Sequence, residues 1–271
     1  MKLKPFLLIN LLLLIFACSN ESVDNEDDDD GGNEDAVLIK QINYSIVDED
    51  EESYTEVFNY DGNRLLSIID TYNDSDDEYK STFEYANDKL IRINNFEDNE
   101  LMEYVTFAYD TQGLLTSLTT YTFDIDGENV AIRSDLNYNT NNLSFSTENY
   151  RGDFSSQTEY VGATNYSVTN GDISEINYEN SDDTLQFQYD TKNSIFKNIF
   201  EIRIIIIAFE NTEYGFDIYG ANNNVTQKID NQGDFIDTET ASYTYNSNDY
   251  PNTAMYFYDG ELDSNIEFIY E

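Results

Sequence analysis

The chain has no histidine, no tryptophan and a single cysteine in 271 residues. Without imidazole there is no histidine triad and no histidine-ligated metal, and one thiol forms neither an internal disulfide nor a thiol pair. Two prolines and twelve glycines exclude collagen-like and proline-rich linker classes. Cations are scarce as well: 13 Lys and Arg stand against 55 Asp and Glu, a formal net charge of −42. Sequence-independent binding of nucleic acid needs Lys and Arg to displace phosphate counterions, so that class is excluded. No cofactor is expected from the residue types that remain.

What is present folds. Apolar residues make up 39% of the chain, with 23 Tyr and 17 Phe, too aromatic a composition for a disordered acidic tail. The first residues read as an export signal: Lys2 and Lys4 form a basic start, and residues 5–16 are an apolar run interrupted only by Asn10. The run is shorter than the roughly 20 residues of a spanning helix. Ile15-Phe16-Ala17-Cys18 resembles the bacterial lipobox, with an aliphatic residue three before the cysteine and a small one just before it. That resemblance implies a signal peptide over residues 1–17 and a mature chain that begins at lipidated Cys18, held in a membrane by its acyl chains.

Residues 18–36 are expected to be an acidic, disordered tether. Val23 is the one aliphatic residue before Ala36, and Glu26 to Asp30 are a run of like charge, so the stretch buries too little apolar surface to order itself. An acidic stretch behind a lipidated cysteine resembles the surface-export signal of Bacteroidota lipoproteins. The resemblance implies an outer-membrane protein exposed at the cell surface, the alternative being the periplasmic face.

From residue 37 to 271 a single repeat domain is expected. Tyr60-Asp61-Gly62-Asn63-Arg64-Leu65 is followed by Ile68, and Tyr85-Ala86-Asn87-Asp88-Lys89-Leu90 by Ile93. Tyr109 to Leu114, Tyr138 to Leu143 and, with Val168 in the tyrosine place, Thr169 to Ile173 continue the series; Tyr189-Asp190, Tyr219-Gly220, Tyr245-Asn246 and Tyr258-Asp259 are looser copies. In each copy an aromatic residue closes one strand, Asp, Asn or Gly supplies positive φ for a tight turn, and Leu or Ile opens the returning strand. Alternation agrees, as in Leu185, Phe187 and Tyr189 against Gln186 and Gln188. The fold class is therefore all-β, an antiparallel meander of hairpin repeats. Its twisted sheet is expected to curl toward a barrel or half-barrel, with a two-sheet sandwich as the alternative.

The motif resembles the YD repeats of Rhs and teneurin shells. Lipobox, acidic tether and repeats together resemble DUF4595, a lipoprotein family of Bacteroidota. The chain is far shorter than a toxin-enclosing shell, so encapsulation is not expected. One segment breaks the repeat: residues 195–209 hold the densest aliphatic run, with Ile204 to Ile207 consecutive, and read as an irregular or short helical crossing that ends in a buried strand.

Carboxylates are the abundant catalytic type. A glycosidase needs two of them, and nothing in the sequence singles out a pair. Asp124, Asp126 and Glu128 stand on a Gly turn as in the start of a Ca²⁺ loop, but lack its spacing and its later bidentate Glu, so a hairpin turn is preferred to a metal site. Asp74, Asp76, Asp77 and Glu78 form a similar cluster. Asp183-Thr184-Leu185 resembles the O-glycosylation motif of Bacteroidota, which implies modification at Thr184. Tyrosines alternating with Asn and Asp are candidates for a glycan- or protein-binding face. The expected function is a non-enzymatic binding or scaffold module, with a carboxylate-dependent glycan hydrolase as the alternative.

Overall fold

The computed structural model describes residues 37–47, 53–73, 78–123, 129–139, 144–179, 181, 183–209, 220–233 and 235–271. Among them sixteen strands follow one another. The first eight are β1 (Ile39–Ile46), β2 (Tyr54–Asp61), β3 (Arg64–Tyr72), β4 (Glu78–Ala86), β5 (Lys89–Glu97), β6 (Glu100–Tyr109), β7 (Leu115–Thr122) and β8 (Val130–Tyr138). Then come β9 (Ser144–Asp153), β10 (Ser156–Thr169), β11 (Asp172–Tyr178) and β12 (Asp183–Tyr189). A helix, α1 (Ile202–Phe209), precedes β13 (Val225–Gln232), β14 (Phe235–Tyr245), β15 (Pro251–Tyr258) and β16 (Glu261–Tyr270). Every strand pairs antiparallel with its neighbours in sequence, and β1 pairs with β16, so the meander closes as a barrel rather than folding into a sandwich.

Closure is written into the repeat. Asn87 and Asp88 (φ 50° and 56°) and Asn170 and Gly171 (φ 53° and 88°) supply the paired positive φ values of a type I′ hairpin turn. Across the turn at Gly62 and Asn63 Tyr60 pairs with Leu65, and across that at Asn87 and Asp88 Tyr85 pairs with Leu90. Just beyond each pair the register slips, so that Leu66 and Ile91 bulge outward. Leu65 and Ile68, like Leu90 and Ile93, therefore both point inward although three residues apart. The Leu-x-x-Ile spacing is the mark of a β-bulge, which breaks the period of two once and adds the twist that curls a sheet shut.

The third copy corrects one expectation. Asp110 Oδ1 accepts the backbone N–H groups of Gln112 (2.8 Å) and Leu114 (2.9 Å), and this longer turn makes Leu115 the partner of Tyr109. Leu115 is buried and Leu114 exposed, so the strand-opening role expected of Leu114 belongs to Leu115.

The wall has two chemistries. Phe58 opposite Ile68, Phe83 opposite Ile93 and Ile93 opposite Val105 are buried on the inner face. The residues between them face outward and are mostly polar, as in Asn59 opposite Ser67, Thr82 opposite Asn94 and Asn177 opposite Thr184, with Ile132, Met255 and Ile269 among the exposed apolar ones. A barrel of this size is too wide for its own side chains to fill. Residues 194–209 fill the end that carries the repeat turns: Ile195, Phe196 and Ile205 are fully buried, and Phe196 and Phe209 lie 6.0 Å and 6.2 Å from the rings of Phe58 and Phe83.

The crossing expected over residues 195–209 is irregular and then helical, but it ends in α1, which holds Ile204 to Ile207, and not in the expected buried strand. With the sheet already closed there is no edge for another strand, and a helix satisfies its own backbone inside an apolar space. Burial of Ile202, Ile205, Ile206 and Ile207 overrides the β-propensity of the run. The plug is pinned around its rim. Glu201 bonds Lys89 Nζ (3.0 Å) and accepts the backbone N–H of Leu90 (2.6 Å), while the Phe200 N–H reaches the Asn63 carbonyl (2.9 Å) and Asn198 Nδ2 the Val37 carbonyl (3.0 Å).

Candidate ligand cavity at the plugged end

Tyrosines near the ends of the strands serve the wall, the repeat tyrosines Tyr109 and Tyr189 among them. Tyr109 donates from its hydroxyl to the Leu90 carbonyl (2.7 Å), Tyr189 to Ile173 (2.5 Å), Tyr243 to Val225 (2.7 Å) and Tyr270 to Pro251 (2.7 Å). Each hydroxyl thus ties the end of its own strand to the opening of the strand before it, β5 for Tyr109, β11 for Tyr189, β13 for Tyr243 and β15 for Tyr270. Tyr60 and Tyr85 hold the same place; the Tyr60 hydroxyl is buried with no hydrogen-bond partner among the described residues, and the Tyr85 hydroxyl is buried beside the Leu65 backbone. Burial pushes the phenols of Tyr60, Tyr85, Tyr109 and Tyr270 above their usual range. Tyr138 tilts over Phe145 at 5.8 Å.

The fifth copy departs from this pattern. Val168 occupies the tyrosine position and pairs with Ile173, and where the other copies place a ring there is a cavity of about 290 Å³ between the wall and α1. Its walls include Phe145, Val168, Ile173, Phe187, Ile206 and Ile207. The exposed residues Leu114 and Arg203 mark its mouth.

One charged group is sunk into this apolar space. Asp172, only 2% exposed, follows the Asn170-Gly171 turn and lines the cavity. Its Oδ1 accepts the Asn222 backbone N–H at 2.7 Å, and its Oδ2 is buried with no hydrogen-bond partner among the described residues. Burial pushes the carboxyl above its usual range, against the backbone N–H groups of residues 221–223 and the Arg203 charge, which hold it down. Gly171 permits the approach, because an added Cβ would collide with the side chains of Arg203 and Asn222.

At the polar end of the barrel the inner face carries carboxylates instead. Glu56 and Asp70 sit directly opposite one another on β2 and β3. Desolvation, joined for Glu56 by the neighbouring Asp70 charge, raises both carboxyls. The Tyr44 hydroxyl donates to Glu56 (3.1 Å), and the rings of Tyr44, Tyr54 and Tyr72 stack in succession at 4.2 and 5.3 Å. Farther round, the Tyr79 hydroxyl donates to Glu97 (3.1 Å) and Asn95 Nδ2 to Glu103 (3.0 Å). Among the described residues no three carboxylates converge as metal ligands.

The remaining sequence candidates are dispersed. Thr184 is half-buried on the outer face between Asn177 and Asn231. Outward-facing aromatics gather at Tyr104 and Tyr121, stacked at 4.4 Å, with the Arg92 guanidinium 3.9 Å from the Tyr104 centroid. Cys18, Asp124, Asp126, Glu128, Leu143 and the cluster at 74–77 lie outside the described residues. Sequence reasoning missed Asp172 as more than a turn residue and missed the Glu56–Asp70 pair. The signal for the cavity was the valine at position 168 in a tyrosine repeat.

No family model matches the chain, and no curated protein matches its sequence. Solved structures do resemble it in fold. A porin-like protein from Bacteroides uniformis superposes with a TM-score of 0.50 at 14% identity, over 86% of this chain and 96% of that one. A porin-like protein from Bacteroides vulgatus gives 0.51 at 13% identity, over 87% and 99%. The chain therefore has a porin-like β-barrel fold.

Proposed function

We propose that this is an outer-membrane lipoprotein of the DUF4595 kind, anchored through Cys18 and exposed at the cell surface, whose barrel stands in water as a non-catalytic binding or scaffold module. The observation that carries this is the polarity of the wall. A barrel that crosses a bilayer turns an apolar band roughly 25 Å tall toward lipid, and a basic side chain at its midplane costs about 2–4 kcal/mol. Here Glu84 opposite Arg92, Asp135 opposite Glu148 and Asn165 opposite Ser146 face outward, among scattered exposed apolar residues such as Ile132 and Met255, while the apolar core faces in and one end is plugged. The fold is porin-like, with the polarity of a porin wall reversed. A lipid anchor then holds the barrel at the membrane without embedding it. Glycans or proteins are the proposed ligands of its outer face, where Thr184 is available for O-glycosylation.

Three measurements on the full chain test this. Cys18→Ala is expected to abolish lipid labelling and leave a protein that needs no detergent, and the wild type is expected to give no conductance steps in planar bilayers. Deletion of residues 21–30 is expected to keep lipidation but reduce protease accessibility on intact cells. A Cys18→Ala chain that stays with membranes through an alkaline carbonate wash defeats the water-facing barrel.

The Glu56–Asp70 pair supports a second reading, hydrolysis of a glycan, because it combines two carboxyls of raised pKa with stacked tyrosines. A glycan-hydrolysis screen decides between the two: turnover lost in both Glu56→Gln and Asp70→Asn favours hydrolysis, and binding without turnover favours the module.

A further inference from the structure

We propose that the cavity beside α1 binds an uncharged amphiphile, a long-chain or aromatic alcohol whose apolar body lies against Val168, Ile173, Phe187 and Ile206 and whose hydroxyl meets Asp172 and Arg203. The inference rests on the water-facing, binding reading of the barrel and names a site and ligand class for it.

Size and chemistry both select the ligand. A dry apolar cavity near 150 Å³ accommodates benzene, so about 290 Å³ takes roughly twice that, about a dozen non-hydrogen atoms. The lining is aliphatic and aromatic, so area removed from water drives entry. The polar requirement is set by Asp172 Oδ2, a buried acceptor with no hydrogen-bond partner among the described residues, where a ligand donor adds a bond beyond the Asn222 N–H that Oδ1 already accepts. A ligand carboxylate would set a second anion beside it. An ammonium would face the Arg203 guanidinium. A hydroxyl suits both, donating to Oδ2 and accepting from Arg203. The substitution of valine for tyrosine at position 168 withdraws the ring that would otherwise occupy the space.

The test titrates 1-decanol, decane, decyl methyl ether and decanoate into the full chain carrying Cys18→Ala, read by calorimetry. Decanol is expected to bind about tenfold or more tightly than decane or the ether, which lack the donated hydrogen bond. Decanoate is expected to bind more weakly than decanol. Val168→Phe, which restores a ring to the cavity, should abolish decanol binding while keeping the melting temperature. Asp172→Asn should bring the ether level with decanol, because the amide donates where the carboxylate accepted. If Asp172→Asn fails to fold, having lost part of its hold on residues 221–223, the ligand series and Val168→Phe decide alone. No heat from decanol, equal affinity for decanol and ether, or undiminished binding to Val168→Phe overturns the inference. A chain that precipitates without detergent fails the water-facing reading and the inference with it, whereas a soluble chain that ignores decanol fails the cavity alone.

Discussion

At the plugged end of the barrel, Tyr109, Tyr189 and Tyr243 donate to backbone carbonyls, with Tyr245, which donates to Asp190, as the exception; at the polar end, Tyr44 and Tyr79 on the inner face donate to carboxylates. Tyr109 on β6 reaches the Leu90 carbonyl, while Tyr79 on β4 reaches Glu97 and Tyr44 on β1 reaches Glu56. One residue type thus does two jobs along one sheet. In the first it replaces water for a backbone group beside a dry plug. In the second it shares a polar interior with groups whose charge opposes burial. The plugged end supplies the apolar burial that holds the fold, and the polar end tolerates carboxylates because that burial has been supplied elsewhere.

The difference is broken most directly at Phe196, fully buried between the plug and Phe58. Phe196→Ala is expected to cost about 3–5 kcal/mol, as a truncated core aromatic does. Tyr79→Ala, half-buried at the polar end, should cost less. Denaturant titration of both variants measures the gap, and equal losses would mean that the two ends contribute alike.

Next in size is the pair of leucines at the third turn. Leu115→Ala should lose about 2–5 kcal/mol and Leu114→Ala no more than about 0.5 kcal/mol, since only the former packs inside. The reverse order would return the turn to the register expected from sequence.

That turn also shows what the sequence makes legible. Alternation and the Tyr-turn-Leu copies disclose strands, turns and the meander, because these are local properties of the chain. The Leu114 assignment failed because the Asp110 side chain captures two N–H groups and lengthens the turn by a residue, a choice that depends on side-chain geometry. The Leu-x-x-Ile spacing was visible in the chain, but its meaning as a bulge, and so the closure of the sheet, required the cross-strand register. Ile204 to Ile207 carried a strand-like local signal that the closed sheet could not accept. Asp172 and Glu56 are ordinary acidic residues in a chain crowded with them; their burial comes from partners 50 and 14 residues away, Asn222 and Asp70.

A smaller effect is expected at the hydroxyls of the plugged end. Tyr109→Phe keeps the ring against the core and removes only the bond to Leu90, so about 1 kcal/mol should be lost. Tyr150→Phe, whose exposed hydroxyl donates to Glu148 at 2.8 Å on the outer face, should lose less. Melting temperatures of the two variants sharpen the contrast between a buried and a solvated hydroxyl.

The last effect belongs to the polar end and is read against pH. Burial raises Asp70 from 3.8 to about 7 and raises Glu56 as well. The groups facing the pair are acidic or neutral: Tyr44 from β1, Tyr54 on β2, Tyr72 on β3 and Tyr79 opposite Asp70 on β4. A carboxyl whose folded pKa lies above its unfolded value binds its proton more tightly in the folded state. Its stabilising contribution is therefore complete below the unfolded pKa and is lost as pH rises through the folded one. Stability should fall between pH 3.8 and about 7. A net charge of −42 adds a background of the same sign as the remaining carboxyls ionise, so the informative quantity is the slope of the wild type minus that of Asp70→Asn. A positive difference in steepness, wild type falling faster, places the pair at the polar end among the groups that oppose folding at neutral pH. Parallel slopes would show that water in the barrel interior already solvates Asp70, and the chemical distinction between the two ends would then lie in the plug alone.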